Sequence, residues 1–288
     1  GEMPESGTEF DAIIVGGGPG GAAAAGYLAK SGSRVLMIEK EVWPRDKVCG
    51  DAVGGKSLSH VSELGVKADI EATPHFRVTG IVFSSPKGNT VRVPLPEEDV
   101  ERMEAGYALP RAQFDSLLFD RCQALVRGAG GSIIQGGDVR TVLFDDGAGG
   151  QDPGEGSGDA RHAAGIVVQI GGKKGEERTF YSRELVGAAG YRCPVARSVV
   201  ESSYNEVMMD RDHYCGGYRE YWRNVKGCES NVGDIEIHFV DSVIPGYFWL
   251  FPVSENVVNV GIGMVMGLLD KQKKKLKALQ ADVIANHP

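Results

Sequence analysis

Four sets of residues in this 288-residue chain could do chemistry. The first is a glycine run in which Gly16, Gly18 and Gly21 fit G-x-G-x-x-G, with Gly20 inside it. The first glycine permits a sharp turn, the second lets a diphosphate approach the backbone, and the third lets a helix pack close to a strand. Orphan N–H groups and the dipole at that helix start suit a phosphate. Glu39, followed by Lys40, lies close to the offset expected of an acid that accepts hydrogen bonds from an adenosine ribose. The second set is Cys49 with its neighbours Gly50 and Ala52; on residue type alone Cys49 reads as an inert, half-buried thiol. The third is Arg111, placed ahead of an amphipathic run at Phe114, Leu117, Leu118, Cys122 and Leu125. A guanidinium there can grip two oxygens of an anion, or be a surface arginine at a helix start. The fourth is Tyr247, Trp249 and Phe251, which period two puts on one face of a strand. Three such rings make either a flat wall for a long apolar ligand or a plain core stripe.

The elements that must position these residues are legible in part. Ala12 to Val15 is a short apolar run suited to a strand buried on both faces, and Arg34 to Ile38 is a second strand ending on Glu39. Strand, glycine turn, helix and strand with a terminal acid are far more specific together than the glycines alone. Lys40 to Leu58 is too rich in glycine, proline and charge for a regular element. Val61 to Arg77 reads as helix until Pro74, and Val78 to Pro94 as a hairpin about Pro86 to Asn89. Strands are expected at 132–134, 139–144, 166–170 and 184–188, with an enlarged, flexible loop over 145–165. Val207 to Val243 reads as antiparallel strands, Val257 to Met266 as another strand, and Leu268 to His287 as one helix. Five lysines near the start of that helix (Lys271, Lys273, Lys274, Lys275, Lys277) read first as a solvated face and second as a contact for anionic lipid.

Bulk properties narrow the class. The length allows one large or two ordinary domains. A net charge of -8 gives no support to nucleic-acid binding. Five cysteines without C-x-x-C spacing fit neither a disulfide framework nor a zinc site, and suit a reducing cytoplasm. No signal peptide and no bilayer-spanning run is expected, and no metal site.

Three motifs carry a resemblance to a family. Lys47-Val48-Cys49-Gly50-Asp51-Ala52 is similar to the K-x-C-G segment of the geranylgeranyl reductases, flavoproteins that saturate isoprenoid chains. The archaeal digeranylgeranylglycerophospholipid reductases are among them. Pro245 to Pro252 fits that family's P-x-Y-x-W-x-F-P, and Arg111, Phe114, Asp115 and Leu118 resemble its R-x-x-F-D-x-x-L. The resemblance runs from Phe10 to Pro288. It implies an α/β, Rossmann-like FAD/NAD(P)-binding fold with an antiparallel β-sheet substrate domain, of hydroxylase and geranylgeranyl reductase type. The FAD domain would be discontinuous, 8–76 and 105–200, and the substrate domain 77–104 and 201–288. FAD would be contacted by Gly16, Gly18, Gly20, Gly21, Glu39, Lys40, Cys49, Gly50, Ala52, Arg111 and Val139. Cys49 would also face the substrate as a catalytic residue, and Tyr247, Trp249 and Phe251 would line a prenyl pocket.

The resemblance implies hydride delivery from reduced flavin to one alkene carbon and a proton to the other, with Cys49, Tyr247 or water as candidate donor. The electron donor would be NAD(P)H or ferredoxin. Ala189 stands where the family's G-A-D-G motif has aspartate, which weighs against conventional NADPH use. Partners would be a prenyl lipid and, peripherally, a membrane surface, with a cytoplasmic location. The family's second flavin motif, G-D-A-x-G, does not occur before Pro288. An incomplete chain that holds FAD weakly by itself is therefore expected. The rival readings are a flavin-dependent monooxygenase or halogenase, and a non-catalytic prenyl-binding protein.

Overall fold

A computed structural model describes residues 3–102, 104–145, 162–204, 206–208 and 210–286. The chain opens with β1 (Glu9–Val15), α1 (Pro19–Lys30) and β2 (Val35–Glu39). It continues through β3 (Ala52–Gly54), α2 (Ser57–Glu63), α3 (Lys67–Glu71), β4 (Phe76–Ser84), β5 (Thr90–Pro94), α4 (Glu97–Glu101) and β6 (Gly106–Ala108). Next come α5 (Arg111–Gly128), β7 (Ser132–Gln135), β8 (Gly137–Asp145), β9 (His162–Ile170), β10 (Glu176–Gly187) and α6 (Pro194–Tyr204). The last part holds β11 (Cys215–Arg223), β12 (Val232–His238), β13 (Tyr247–Ser254), β14 (Val257–Val265), α7 (Met266–Lys271) and α8 (Leu276–Asn286).

Two compact units result, residues 1–45 with 115–208 and residues 46–114 with 209–288. Residues 46–76 and 105–114 thus pack with the second unit. The first unit is built on a six-stranded sheet ordered β7-β2-β1-β10-β9-β8. Its β7, β2, β1 and β10 run parallel, while β9 pairs antiparallel with both β10 and β8. Alternation along β1 sends Ile13 and Val15 to a core with Leu36, Ile38, Val168 and Phe180. Ile14 goes to the opposite core with Met37, Ala25 and Ala29 of α1, and Phe119 and Val126 of α5. From Ala12 to Val15 the strand is apolar at every position, as two covered faces require. The loop expected over 145–165 is shorter than that: Asp145 ends β8 and residues 162–165 begin β9, while 146–161 lie outside the described residues.

The second unit holds an eight-stranded sheet, β11-β14-β13-β12-β4-β6-β3, with β5 on β4. It is antiparallel except where β12 runs parallel to β4, and to that extent the expected all-antiparallel sheet is corrected. A parallel pair needs a long crossover, and residues 85–231 supply one. The single C-terminal helix expected from Leu268 is also corrected. α7 ends at Lys271 and α8 starts at Leu276, with Lys273 at φ 53 between them. The lysine run is therefore mostly the break between two helices, since adjacent ammonium groups favour solvent over one shared face. No helix among the described residues is long and apolar enough to cross a membrane.

Candidate functional site

In the first unit the glycine turn joins β1 to α1. Gly16 takes φ +110, and a Cβ there would lie 2.5 Å from the carbonyl oxygen of Ala188. Only glycine fits such a left-handed turn against a neighbouring strand end. Gly18 is the N-cap of α1, with no side-chain cap and no acid in the first turn. A Cβ on Gly20 would meet nothing within 4 Å. The surface beside Gly20 in the first turn of this twelve-residue helix is therefore open, as approach of a diphosphate requires.

Glu39 is buried at the end of β2, and both its oxygens are engaged. Oε2 accepts from the Gly17 amide at 2.7 Å and Oε1 from the Glu41 amide at 2.9 Å. The acid thus fixes the glycine turn, and each oxygen retains lone-pair capacity for a hydroxyl. Beside the turn stands Arg45, its Nη2 3.1 Å from where a Gly18 Cβ would be. Its guanidinium lies 4.5 Å from the Trp43 ring centre and pairs with buried Asp115 at 3.1 Å. Trp43 stacks on Phe119 at 4.9 Å, and its indole Nε1 is buried without a partner among the described residues. Open amides, a fixed acid, a held cation and an orphaned indole N–H fit a dinucleotide. Lys40 instead extends outward to Asp138 at 3.4 Å, and the Val139 side chain packs in the core.

In the second unit the chemistry gathers around Cys49 to Asp51. Gly50 lies on the ring of Phe251, so closely that a Cβ would stand 2.7 Å from Cε2. Phe251 and Trp249 are neighbouring rings at 6.5 Å, and Tyr247 adds a third at 5.9 Å from Trp249. The three do share one face of β13, but unequally: Trp249 is 6% exposed, Phe251 8% and Tyr247 41%. Opposite Phe251 in the register sits Asn259 of β14. Asn259 is fully buried and bonds three ways. Its Oδ1 accepts from Trp249 Nε1 at 2.8 Å, and its Nδ2 donates to the Cys49 carbonyl at 2.6 Å and to Asp51 Oδ2 at 2.7 Å. Tyr221 also donates to Asp51 Oδ2, at 2.5 Å. Asp51 Oδ1 is buried with no hydrogen-bond partner among the described residues.

Burial pushes the Asp51 carboxyl above its ordinary value, against the pull of the bonds from Tyr221 and Asn259, the Arg219 charge and the Arg111 backbone amide. Burial likewise raises the Tyr221 hydroxyl, helped by its bond to Asp51. Tyr221 is therefore held in its neutral form over a wide range of pH, and Asp51 keeps its proton to higher pH than an ordinary carboxyl does. Arg219 stacks 4.2 Å over the Tyr221 ring and pairs with Asp46 at 2.5 Å.

Of the residues singled out in the sequence, Gly16, Gly18, Gly20, Gly21 and Glu39 meet in the first unit. Cys49, Gly50, Trp249 and Phe251 meet in the second. Ala52 opens β3 and Arg111 opens α5, both in the second unit. Sequence reasoning missed Trp43, Arg45, Asp51, Tyr221 and Asn259. For Asn259 a signal existed, because one amide interrupts the apolar run Val257 to Val260 at a position facing the aromatic side. For Asp51 the signal was an acid inside the K-x-C-G-D-A segment, held at φ 71.

Two family models match parts of the chain, the first of them spanning segments of both units. The FAD binding domain family matches residues 9–146, and the geranylgeranyl reductase catalytic domain family matches residues 213–287. Residues 213–287 are thus similar to the geranylgeranyl reductase catalytic domain. FAD is the cofactor indicated by the FAD-binding match, and the glycine turn with Glu39 lies inside it. Among the relatives is the digeranylgeranylglycerophospholipid reductase 1 of Methanococcoides burtonii, 29% identical over 97% of this chain and 60% of its own length. The menaquinone reductase of Mycobacterium tuberculosis is 27% identical over 88% of this chain and 54% of its own. The chain thus spans about half the length of that relative. Two solved structures share the fold. The myxobacterial chondrochloren halogenase has a TM-score of 0.73 at 23% identity, covering 98% of this chain and 58% of its own. A geranylgeranyl bacteriochlorophyll reductase-like protein of Thermoplasma acidophilum has a TM-score of 0.69 at 22% identity, covering 98% and 62%. The geranylgeranyl reductase catalytic match contains both Trp249 and Asn259, so the aromatic strand and its polar anchor lie in the segment that carries that family's chemistry.

Proposed function

We propose that the chain serves a flavin-dependent reductase that saturates carbon–carbon double bonds of geranylgeranyl chains in lipid precursors. The observation that carries the reading is the Trp249 and Phe251 wall packed directly under Gly50, inside the unit that contains the geranylgeranyl reductase match. Bound FAD, once reduced, supplies hydride to one alkene carbon. For the cofactor, the Gly18 and Gly20 amides and Arg45 take the diphosphate, while Glu39 takes the adenosine ribose. Tyr247, Trp249 and Phe251 give the prenyl chain a rigid, water-excluding surface, which an unactivated alkene needs in order to be held close to its reductant. Cys49 faces the substrate, on a loop whose carbonyl is fixed by Asn259. The electron donor is a nicotinamide nucleotide or a ferredoxin-like protein, and Ala189 favours the second.

The menaquinone reductase relatives support a second source of the same chemistry, since menaquinone also carries an isoprenoid tail. The test is anaerobic incubation of the full-length, FAD-loaded protein with a geranylgeranyl lipid and, separately, with menaquinone. Each is supplied with reduced ferredoxin or NADPH, and product mass is read. Gain of two hydrogens per double bond in the lipid is the expected result. Gain only in the quinone arm would move the substrate to prenylated quinones. Oxygen-dependent hydroxylation or halogenation without saturation would overturn the reductase reading.

A further inference from the structure

The Cys49 loop and the aromatic wall are separate in sequence, yet one side chain holds both. Asn259 is fully buried, and every hydrogen-bonding atom of its amide is used. The orientation of that amide is determined by its surroundings. The Trp249 indole can only donate, so it must meet the amide oxygen; the Cys49 carbonyl can only accept, so it must meet the amide nitrogen. Asp51 Oδ2 takes the remaining N–H and is itself fixed by the Tyr221 hydroxyl. Gly50 meanwhile rests on Phe251. The loop is therefore pinned at three consecutive residues, Cys49, Gly50 and Asp51, to one ring of β13 and one amide of β14, and that amide is held in turn by the Trp249 indole. Asp51 sits at φ 71, a backbone conformation that a non-glycine residue holds only when its surroundings fix it.

We propose that Asn259 is a positioning residue of the site: it sets the register between the Cys49 loop and the Trp249–Phe251 wall, and so which double bond of a bound prenyl chain is brought to Cys49. The inference rests on the proposed prenyl-reductase reading for its substrate, but not for its mechanical part. A rigid wall alone gives a chain grip without register, because an isoprenoid repeats along its length and can slide. A loop pinned to that wall turns grip into a stop at a defined distance. Asn259 touches neither substrate nor cofactor in this scheme. Asp51 and Tyr221 orient the amide, and Trp249 and Cys49 are what it orients.

The test uses the full-length, FAD-loaded protein with two substitutions, Asn259→Leu and the milder Trp249→Phe, which keeps an aromatic ring but removes the indole donor together with part of the ring's buried volume. The first readout is the rate at which a maleimide alkylates Cys49, with Cys228, half-buried in the same unit, as the internal control. Asn259→Leu should speed Cys49 labelling roughly 10- to 100-fold, the change expected when the two hydrogen bonds holding the loop are lost, and leave Cys228 unchanged. Trp249→Phe should speed it less, and the double variant should add nothing to Asn259→Leu. The second readout is turnover: kcat should fall and the distribution of partly saturated products should spread, with KM little altered, because the wall remains. Equal acceleration at Cys49 and Cys228 would mean general loosening and would overturn the assignment, as would no acceleration in either variant. Coupled labelling in a protein that saturates no prenyl chain would overturn the proposed function and leave the frame standing. Saturation with unresponsive labelling would overturn the frame alone.

Discussion

Glu39 offers the sharpest test of the first unit, because the structure gives its carboxylate two tasks that can be measured apart. Its two oxygens accept the Gly17 and Glu41 amides at 2.7 and 2.9 Å. A hydrogen bond to a charged group contributes about 1.5–3 kcal/mol net, so Glu39→Ala should cost the fold roughly 3–6 kcal/mol. That is a large share of the ~5–15 kcal/mol that holds a typical domain together. Glu39→Gln keeps the volume and one acceptor oxygen, and turns an NH2 group toward the other amide. It should cost about half as much. Separately, each oxygen keeps one lone-pair direction for a ribose hydroxyl, and losing one or two such bonds should weaken FAD roughly 10- to 100-fold. Stability is read by urea unfolding of the apoprotein, and affinity by FAD titration at a temperature where each variant is folded. A Glu39→Ala protein that unfolds within about 0.5 kcal/mol of the parent would refute the two backbone bonds. Unchanged FAD affinity would refute the ribose assignment while leaving the structural role intact.

The remaining predictions concern the second unit. Asp51 carries a carboxyl raised above its ordinary 3.8 by burial. A raised value means that its contribution to stability is full below about pH 4 and is lost as pH climbs through the raised value. The stability of the parent relative to Asp51→Asn should therefore decline from about pH 4 upward in urea melts, and a difference independent of pH would remove the argument. Trp249→Ala empties a site only 6% exposed and should cost about 3–5 kcal/mol, with KM rising more for long prenyl chains than for short ones. Equal KM changes for both lengths would make the ring plain core. Cys49→Ser should alter the rate or the pattern of saturation while flavin content stays as in the parent. If rate and pattern both match the parent, the thiol has no role at the substrate.

The parts of this fold that were legible are those where a single physical requirement leaves its mark on consecutive residues. β1 had to be apolar from Ala12 to Val15 because both its faces are covered there, and the turn after it had to be glycine because Ala188 leaves no room for a Cβ at Gly16. β4 and β5 showed themselves through alternation about a turn, and pair as expected. The C-terminal helix was misread because its apolar periodicity continues across residues 272–275, while the break is made by the backbone at Lys273. Periodicity reports which face a residue would occupy if the helix continued, not whether it does. The parallel pairing of β12 with β4 was equally invisible, since direction within a sheet is decided by where a chain returns from and no local residue encodes it.

The site divides along the same line. Glu39, the glycines and the aromatic triplet belong to patterns that chemistry imposes at fixed spacing, so a sequence displays them. Asp51, Tyr221 and Asn259 stand 170 and 208 residues apart in the bonds that join them, and no spacing rule connects them. What the sequence did carry was a mismatch: an acid beside Cys49 and an amide inside an apolar strand. Each alone would be an expensive polar group in a core, and buried polar groups persist only when something satisfies them. Two such mismatches in one unit therefore imply each other as partners, which is how the structure resolves them. The oxygen that stays unpaired, Asp51 Oδ1, is the exception that the proton answers. With Oδ2 already accepting from both Tyr221 and Asn259, a proton on the raised carboxyl belongs on Oδ1. Burial favours the proton while the bonds from Tyr221 and Asn259 favour the charge, so ionising Asp51 strengthens the two bonds it accepts in the frame that holds the Cys49 loop.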